Sequence, residues 1–170
     1  MKKLQEILQE DVWQHWMRVE NFDYSDFRSD IRGPLPEDMT WYLAEIEEKD
    51  INQLFIISSS DWADITGGTF RVADVVGRLH LQSSNPDTQR LSEDIQKKMR
   101  FLEAGGELDT KLIAVTNCPE LKGPFTFIEG NRRSVALSAR MDIVGRRIFV
   151  GTSPAIRDYG WAKKSFLFKP

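Results

Sequence analysis

The sequence predicts an α+β domain, in which short strands are packed against helices. Short apolar runs of strand-forming residues recur along the 170 residues, and two longer stretches repeat apolar residues at helical spacing. Hydrophobic residues make up 41% of the chain, which is enough for one domain with a sizeable core. Five tryptophans and ten phenylalanines are inconsistent with a disordered chain.

The first forty residues predict an N-terminal helical extension. Within residues 3–19, apolar side chains recur near helical spacing at Leu4, Ile7, Leu8, Val12 and Met17. Trp13 and Trp16 widen this apolar face, which we expect to dock on the domain. A homodimer contact through the N-terminal helix is the alternative. Residues 20–40 are polar and predict a connecting loop.

The next segment predicts two strands and a polar loop. Residues 41–46 (WYLAEI) predict the first strand, and residues 50–57 (DINQLFII) predict a turn leading into the second. Residues 58–68 (SSSDWADITGG) predict a loop with side-chain caps. The functional alternative is a site loop in which Asp61 or Asp64 serves as a metal-binding or basic carboxylate.

The clearest helix begins at Asn85, which is a good cap, with Pro86 in the first turn. Its apolar face consists of Leu91, Ile95, Met99 and Leu102. Before it, residues 70–81 leave helix and strand both open. After it, residues 111–116 (KLIAVT) and 147–151 (RIFVG) each predict a short strand.

Between those two strands, residues 124–139 (PFTFIEGNRRSVALSA) predict a strand, a tight turn and a helix. Gly130 tolerates the positive φ of a turn, and Asn131 is a good N-cap for a short helix over residues 134–139.

Arg132 and Arg133 fall in the first turn of that helix. Cations there face the positive end of the helix dipole, at about 0.3–1 kcal/mol each. The pair is explained if an anion, such as phosphate, is shared between the two guanidinium groups and the backbone N–H groups. Two solvated arginines at a surface helix start are the alternative.

Charge and cysteine content narrow the function classes. The net charge of −3 gives no overall case for nucleic-acid or membrane binding, and no apolar run is long enough to span a membrane. Cys118 is the single cysteine, which excludes an intrachain disulfide and predicts a reducing, cytoplasmic location. His15 and His80 stand apart from any cluster of Cys or His residues, so no zinc site is predicted.

The charge is unevenly distributed. Residues 131–170 hold nine basic and two acidic residues, a net charge of +7, whereas residues 1–130 carry −10. Tyr159, Trp161 and Phe166 lie in this basic third and are residue types that stack on bases. A DNA- or RNA-binding or nuclease module is therefore one alternative function.

The order of these elements resembles the ParB/sulfiredoxin-like superfamily, in particular the ParB N-terminal-like domain. There a helix and a strand precede a second strand that ends in a G-x-R-R turn, and a helix with small residues follows. The turn here is GNRR, followed by Ala136 and Ala139, and AEIEEKDI at residues 44–51 matches the strand-then-Asp opening. A long insert occupies residues 58–90.

The resemblance implies a three-part chain. Residues 1–40 form the N-terminal helical extension, and residues 41–155 form the ParB/sulfiredoxin-like domain with a small mixed sheet. Residues 156–170 form a C-terminal tail packed on the domain.

The resemblance also implies a nucleotide at the turn. In ParB-type members the G-x-R-R turn binds the triphosphate of CTP, and in sulfiredoxins the same turn holds ATP phosphates and carries a catalytic cysteine. Asn131 stands at the position of that cysteine, so the sulfiredoxin reaction is not expected. Serine-phosphorylating relatives keep an acidic residue before the glycine, which Glu129 matches, and a histidine in the turn, which is lacking here.

Three hypotheses follow. In the first, Gly130, Asn131, Arg132 and Arg133 hold a nucleoside triphosphate with Mg²⁺. Glu129 then acts as general base or magnesium ligand, or else simply pairs with one of the arginines. The second is the nucleic-acid module, and the third is a non-catalytic domain that binds another protein.

Overall fold

The computed structural model describes residues 1–20, 28–81, 83–108 and 111–166. The strands are β1 (Lys2–Ile7), β2 (Thr40–Glu45), β3 (Leu54–Ile56), β4 (Ile113–Thr116), β5 (Phe125–Glu129) and β6 (Arg147–Thr152). The helices are α1 (Gln9–Glu20), α2 (Arg28–Arg32), α3 (Ser60–Thr66), α4 (Val72–Arg78), α5 (Pro86–Glu103) and α6 (Asn131–Ala139). Short 3-10 helices occupy Glu48–Gln53, Pro154–Asp158 and Lys163–Phe166.

The six strands form one mixed sheet in the order β1–β2–β6–β4–β5–β3. The β3–β5 and β4–β6 pairs are parallel, and the other three pairs are antiparallel. The chain is therefore an α+β protein, as predicted. Because β3 and β5 are parallel neighbours, both end at the same edge of the sheet, and α3 and α6 begin just beyond that edge.

Helical layers cover both faces of the sheet. Helices α3 to α6 cover one face, and the apolar residues they bury there include Trp62, Val75, Leu91, Ile95, Val135 and Leu137. The opposite face is covered by α1, by α2 and by the segment after β6, which bury Val12, Trp13, Trp16, Ile31, Ile156 and Tyr159. Successive side chains of β5 point to opposite faces of the sheet. Phe127 therefore faces the layer of α3 to α6, and Ile128 faces the layer of α1 and α2.

The helix expected over residues 3–19 is wrong in its first part, where β1 pairs with β2 from Lys2↔Glu45 to Ile7↔Trp41. The apolar spacing misled because pairing with β2 fixes the backbone, while the side chains from Lys2 to Glu6 are exposed and Ile7 is partly buried against the second layer. Trp13 and Trp16 are only 4% and 1% exposed. They are core residues of this chain, and the homodimer contact through the N-terminal helix stays a prediction.

The polar loop expected over residues 58–68 is also wrong, because α3 forms there. Its buried residues Trp62, Ile65 and Thr66 recur at helical spacing, and Gly67 ends the helix with a φ of +61°. The stretch left open at residues 70–81 contains α4. By contrast, the cap of α5 is confirmed, since the side chain of Asn85 accepts hydrogen bonds from the N–H groups of Asp87 and Thr88.

Candidate functional site

A cleft of about 530 Å³ lies where the parallel strands β3 and β5 end. We call it the β3–β5 cleft. Its lining residues are Trp16, Val19, Ile31, Ile57, Ser59, Asp61, Trp62, Lys98, Ile128, Glu129, Gly130, Asn131, Arg132 and Arg133. The carboxyl ends of strands in open sheets are common binding positions, because loops and helix starts meet there. All five residues predicted as a site lie in this one cleft.

The turn into α6 is made by the backbone of Gly130. Its φ is +78°, and it occupies the N-cap position without a side-chain cap. The helix therefore begins at Asn131, three residues earlier than expected, and the prediction that Asn131 caps it is wrong. The Asn131 amide oxygen instead accepts a hydrogen bond of 3.1 Å from the N–H of Ile57, which ties the start of α6 to the end of β3.

Arg133 is paired with a buried carboxylate. Its Nη2 donates to Oε1 of Glu129, four residues earlier, and the two side chains are 12% and 3% exposed. This is the ion pair that the sequence offered as the alternative to a catalytic role for Glu129. A magnesium ion would therefore compete with the guanidinium for Oε1 of Glu129.

Arg132 is paired with a carboxylate from another helix. Its Nη1 lies 2.7 Å from Oδ2 of Asp94 on α5, and the two side chains are 53% and 50% exposed. The adjacent arginines thus have different environments. The guanidinium of Arg133 is held below the surface, and that of Arg132 is held at the mouth of the cleft.

These two ion pairs explain how two arginines are tolerated in the first turn of α6. Helix α6 has no acidic residue in its first turn, so the chain itself supplies no negative charge there from neighbouring positions. Asp94 and Glu129 supply it from α5 and from β5. The two guanidinium groups are therefore neither solvated in isolation nor directed at a single shared point.

Lys98 is a cleft residue that the sequence did not single out. It lies one turn after Asp94 on α5, is half-buried, and makes no ion pair within the described part of the chain. It was missed because about thirty residues separate it from the arginines in sequence. The only available signal was the i, i+4 spacing that places Asp94 and Lys98 on one side of α5.

The two aspartates of the supposed loop separate in the structure. Asp61 lines the cleft. Asp64 does not, because its carboxylate accepts hydrogen bonds from the hydroxyls of Ser83 (3.0 Å) and Thr88 (2.8 Å) and so joins α3 to the start of α5. In the described ranges, no three His, Cys, Asp or Glu side chains are grouped to hold a metal ion.

The rest of the cleft wall is apolar and comes from both layers. Trp16 and Ile31 belong to the layer of α1, and Trp62 belongs to the layer of α3 to α6. Ile57 and Ile128 also line the cleft. Such a wall suits a ligand with a ring or alkyl portion beside its charged group.

A larger cavity, of about 650 Å³, lies away from the predicted site and is lined by Cys118 and Arg157 among others. The Cys118 thiol donates to the Glu120 carboxylate at 3.2 Å, and this bond lowers the pKa of Glu120. The lining holds one cation and one carboxylate, and no histidine stands beside the thiol. It lacks the concentration of cations found in the β3–β5 cleft, although it is larger.

Within the described residues, the aromatic side chains of the basic C-terminal third do not form one exposed surface, because Tyr159 is buried. Arg140 contacts the carboxylates of Asp142 and Glu103, at 2.9 and 3.7 Å. The ring of Tyr159 is 3% exposed and its hydroxyl donates to the carbonyl of Ile31, so this ring cannot stack on a base. Lys169 lies outside the described residues.

A scan against models of known protein families finds no match to this chain, and neither do searches of curated proteins and of solved structures. Among the described residues, none of the helices combines the length and the apolar character that crossing a lipid bilayer requires.

Proposed function

We propose that the β3–β5 cleft binds the phosphate portion of a nucleotide at the start of α6. The observation that carries the proposal is the convergence of Lys98 and Arg132, from two helices, on a helix N-terminus that has no side-chain cap. The first N–H groups of a helix have no partner within the helix and favour anions. The apolar wall beside them suits the base or sugar.

Roles within the cleft follow from the environments. Lys98 and Arg132 contact the phosphate, and Arg133 shapes the site from its buried pair with Glu129. In this proposal Glu129 orients Arg133 and is not the general base.

We further propose that the fold is ParB/sulfiredoxin-like over residues 41–155. The support is the order β5, G-x-R-R turn, α6, in which Arg132 and Arg133 stand in the first helical turn, as the resemblance implies.

The test is a thermal-shift panel of nucleoside mono-, di- and triphosphates, with and without magnesium. A ligand at a hundred times its Kd adds about 2.7 kcal/mol of stability, which is roughly 5–10 °C in Tm for a protein of this size. Lys98→Ala and Arg132→Ala are each expected to weaken binding about tenfold or more, through the loss of one charge-assisted hydrogen bond.

Lys97→Ala is the matched control, because Lys97 is the exposed neighbour of Lys98 on α5 and does not line the cleft. The proposal is overturned if no phosphorylated ligand shifts the Tm. It is also overturned if Lys98→Ala and Arg132→Ala bind as tightly as the Lys97→Ala control.

A further inference from the structure

The contact between Arg132 and Asp94 joins two helices across the mouth of the cleft. Asp94 lies on α5, thirty-eight residues before Arg132, and the two side chains meet at 2.7 Å. The Asp94 carboxylate therefore binds the Arg132 guanidinium, the same group that binds a phosphate in the proposed function. In the free protein, Asp94 holds one of the positions on Arg132 that an anionic ligand needs.

The Arg132–Asp94 pair can separate to admit another anion, whereas the Arg133–Glu129 pair cannot separate easily. Both members of the Arg132–Asp94 pair are about half exposed, and ion pairs of this kind are worth little in water. Arg133 and Glu129 are almost completely buried, so separating them leaves a charge without compensation inside the protein. A ligand entering the cleft therefore meets one releasable guanidinium and one fixed one.

Building on the proposed function, we propose that Asp94 is a built-in competitor for the phosphate. It holds Arg132 in the ligand-free protein and gives it up when phosphate binds. Arg132 and Lys98 then face the same ligand, since Asp94 and Lys98 lie one turn apart on α5.

The exchange also sets the class of ligand. A carboxylate ligand would replace Asp94 with a group of the same charge and gain little from Arg132. A terminal phosphate carries about −1.5 to −2 at neutral pH and three acceptor oxygens, so it outcompetes the single carboxylate. The site is therefore expected to prefer a phosphate monoester or pyrophosphate end over a carboxylate or an internal phosphodiester.

The test is a double-mutant cycle with pyrophosphate as the probe, measured by titration calorimetry on the full chain. Asp94→Asn is expected to tighten binding about two- to fivefold, which is the range of an exposed ion pair. In an Arg132→Ala background the same substitution is expected to change the Kd by less than about 1.5-fold, because its effect passes through Arg132.

A general charge effect at the site would instead tighten binding equally in both backgrounds, and that result overturns the inference. Glu93→Gln is the control, because it removes one charge from the neighbouring position on α5, where Glu93 accepts a hydrogen bond from Gln89 at 2.9 Å. Equal tightening by Glu93→Gln and Asp94→Asn also overturns the inference.

The two proposals fail in different ways. If the wild-type chain binds pyrophosphate and Asp94→Asn leaves the Kd unchanged, only the competition is wrong. If neither the wild type nor Asp94→Asn binds pyrophosphate or any nucleotide of the panel, the phosphate site itself is wrong. Unfolding midpoints of all variants confirm that each is folded at the temperature of the titration.

Discussion

At the residue scale, adjacent arginines have opposite environments because a helix turns by about 100° per residue. Arg133 faces back toward β5 and reaches Glu129, four residues earlier. Arg132 faces α5 and reaches Asp94 at the surface. The sequence predicted the two adjacent cations and offered Glu129 as a partner. It did not predict Asp94, because that contact depends on how α5 and α6 pack.

Glu129→Gln is expected to lower the free energy of unfolding by about 3 kcal/mol. The substitution keeps the shape of the side chain but removes the negative charge opposite the buried Arg133 guanidinium. Asp94→Asn removes the charge opposite Arg132 at the surface and is expected to cost less than about 1 kcal/mol. Urea titration of both variants measures the difference, and equal losses would contradict the assignment of one buried and one exposed pair.

His15 is the second residue whose environment has a measurable consequence. Its Nε2 donates to the carbonyl of Lys111 at 3.0 Å, and its Nδ1 accepts from Arg18, so the ring is neutral. Burial is the main cause that lowers the pKa of His15, and the positive charges of Lys111, Arg18 and Arg133 lower it further. The hydrogen bond to Lys111 opposes the shift without cancelling it.

Stability is therefore expected to fall with acidification. Because the folded protein holds the pKa of His15 below its value of about 6.5 in the unfolded chain, the unfolded state binds the proton first. The contribution of the neutral His15 ring to the free energy of unfolding is complete above about pH 6.5, and it declines as the pH falls toward the folded-state pKa of His15. The slope is at most about 1.4 kcal/mol per pH unit.

Urea unfolding midpoints measured between pH 5 and 8 test this expectation. His15→Gln removes the titrating ring, and its stability should vary less with pH over that interval than the stability of the wild type. A variant whose profile is parallel to that of the wild type would assign the pH dependence to other groups.

At the element scale, the turn from β5 to α6 depends on Gly130. Its φ of +78° is a left-handed conformation that side chains disfavour, and a Cβ added there would lie 2.3 Å from Cδ2 of Leu112. Leu112 is buried and cannot simply move away. The glycine is needed both for the backbone conformation and for the close approach of Leu112, the residue just before β4, to the turn.

Gly130→Ala is expected to destabilise the protein by about 2–4 kcal/mol, through backbone strain together with overpacking. Gly68→Ala is the matched control, because Gly68 has a similar φ of +80° and open space around its Cα. That variant should lose only the conformational part, about 1 kcal/mol. If chemical denaturation gives the same loss for both, the contact with Leu112 has no energetic role.

The elements that the sequence predicted correctly are those in which local signals and tertiary contacts agree. Helix α5 has a capping Asn85 and an apolar stripe that is buried, and β5 has apolar residues that are buried on both faces. The failures are at β1, where helical spacing was overridden by pairing with β2, and at α3, where serine and aspartate concealed three buried positions. For these two, the deciding contacts come from distant parts of the chain.

The same reasoning applies to the site. The strand–turn–helix order predicted that Glu129 to Arg133 surround one turn, and the structure adds that all five residues line the β3–β5 cleft. Lys98, Asp94 and the tryptophan walls were not predicted, because each comes from an element that only tertiary packing brings to this edge of the sheet.

At the scale of the whole molecule, the two ends of the described chain build one layer together. The indole N–H of Trp161 donates to the carbonyl of Asp30 at 3.2 Å, and the Ser153 hydroxyl donates to Asp38 at 2.7 Å. Trp13 packs edge-on against Trp41 of β2, with ring centroids 5.3 Å apart. The second face of the sheet is therefore closed by segments that are far apart in sequence.

Trp13→Ala is expected to cost about 3–5 kcal/mol, the usual range for truncating a buried aromatic side chain. Because the ring contacts its own chain, the sedimentation coefficient of the folded variant should equal that of the wild type. Leu8→Ala, at a side chain that is 72% exposed, serves as the control and should leave stability nearly unchanged. A change in association state on losing Trp13 would show that the indole also touches another molecule.

The β3–β5 cleft has walls from both helical layers, since Trp16 comes from α1 and Trp62 from α3. An occupant would therefore bridge the two sides of the sheet at its edge. Binding would then stabilise the docking of both layers at once, because a ligand that binds only the folded chain adds its binding free energy to that of folding.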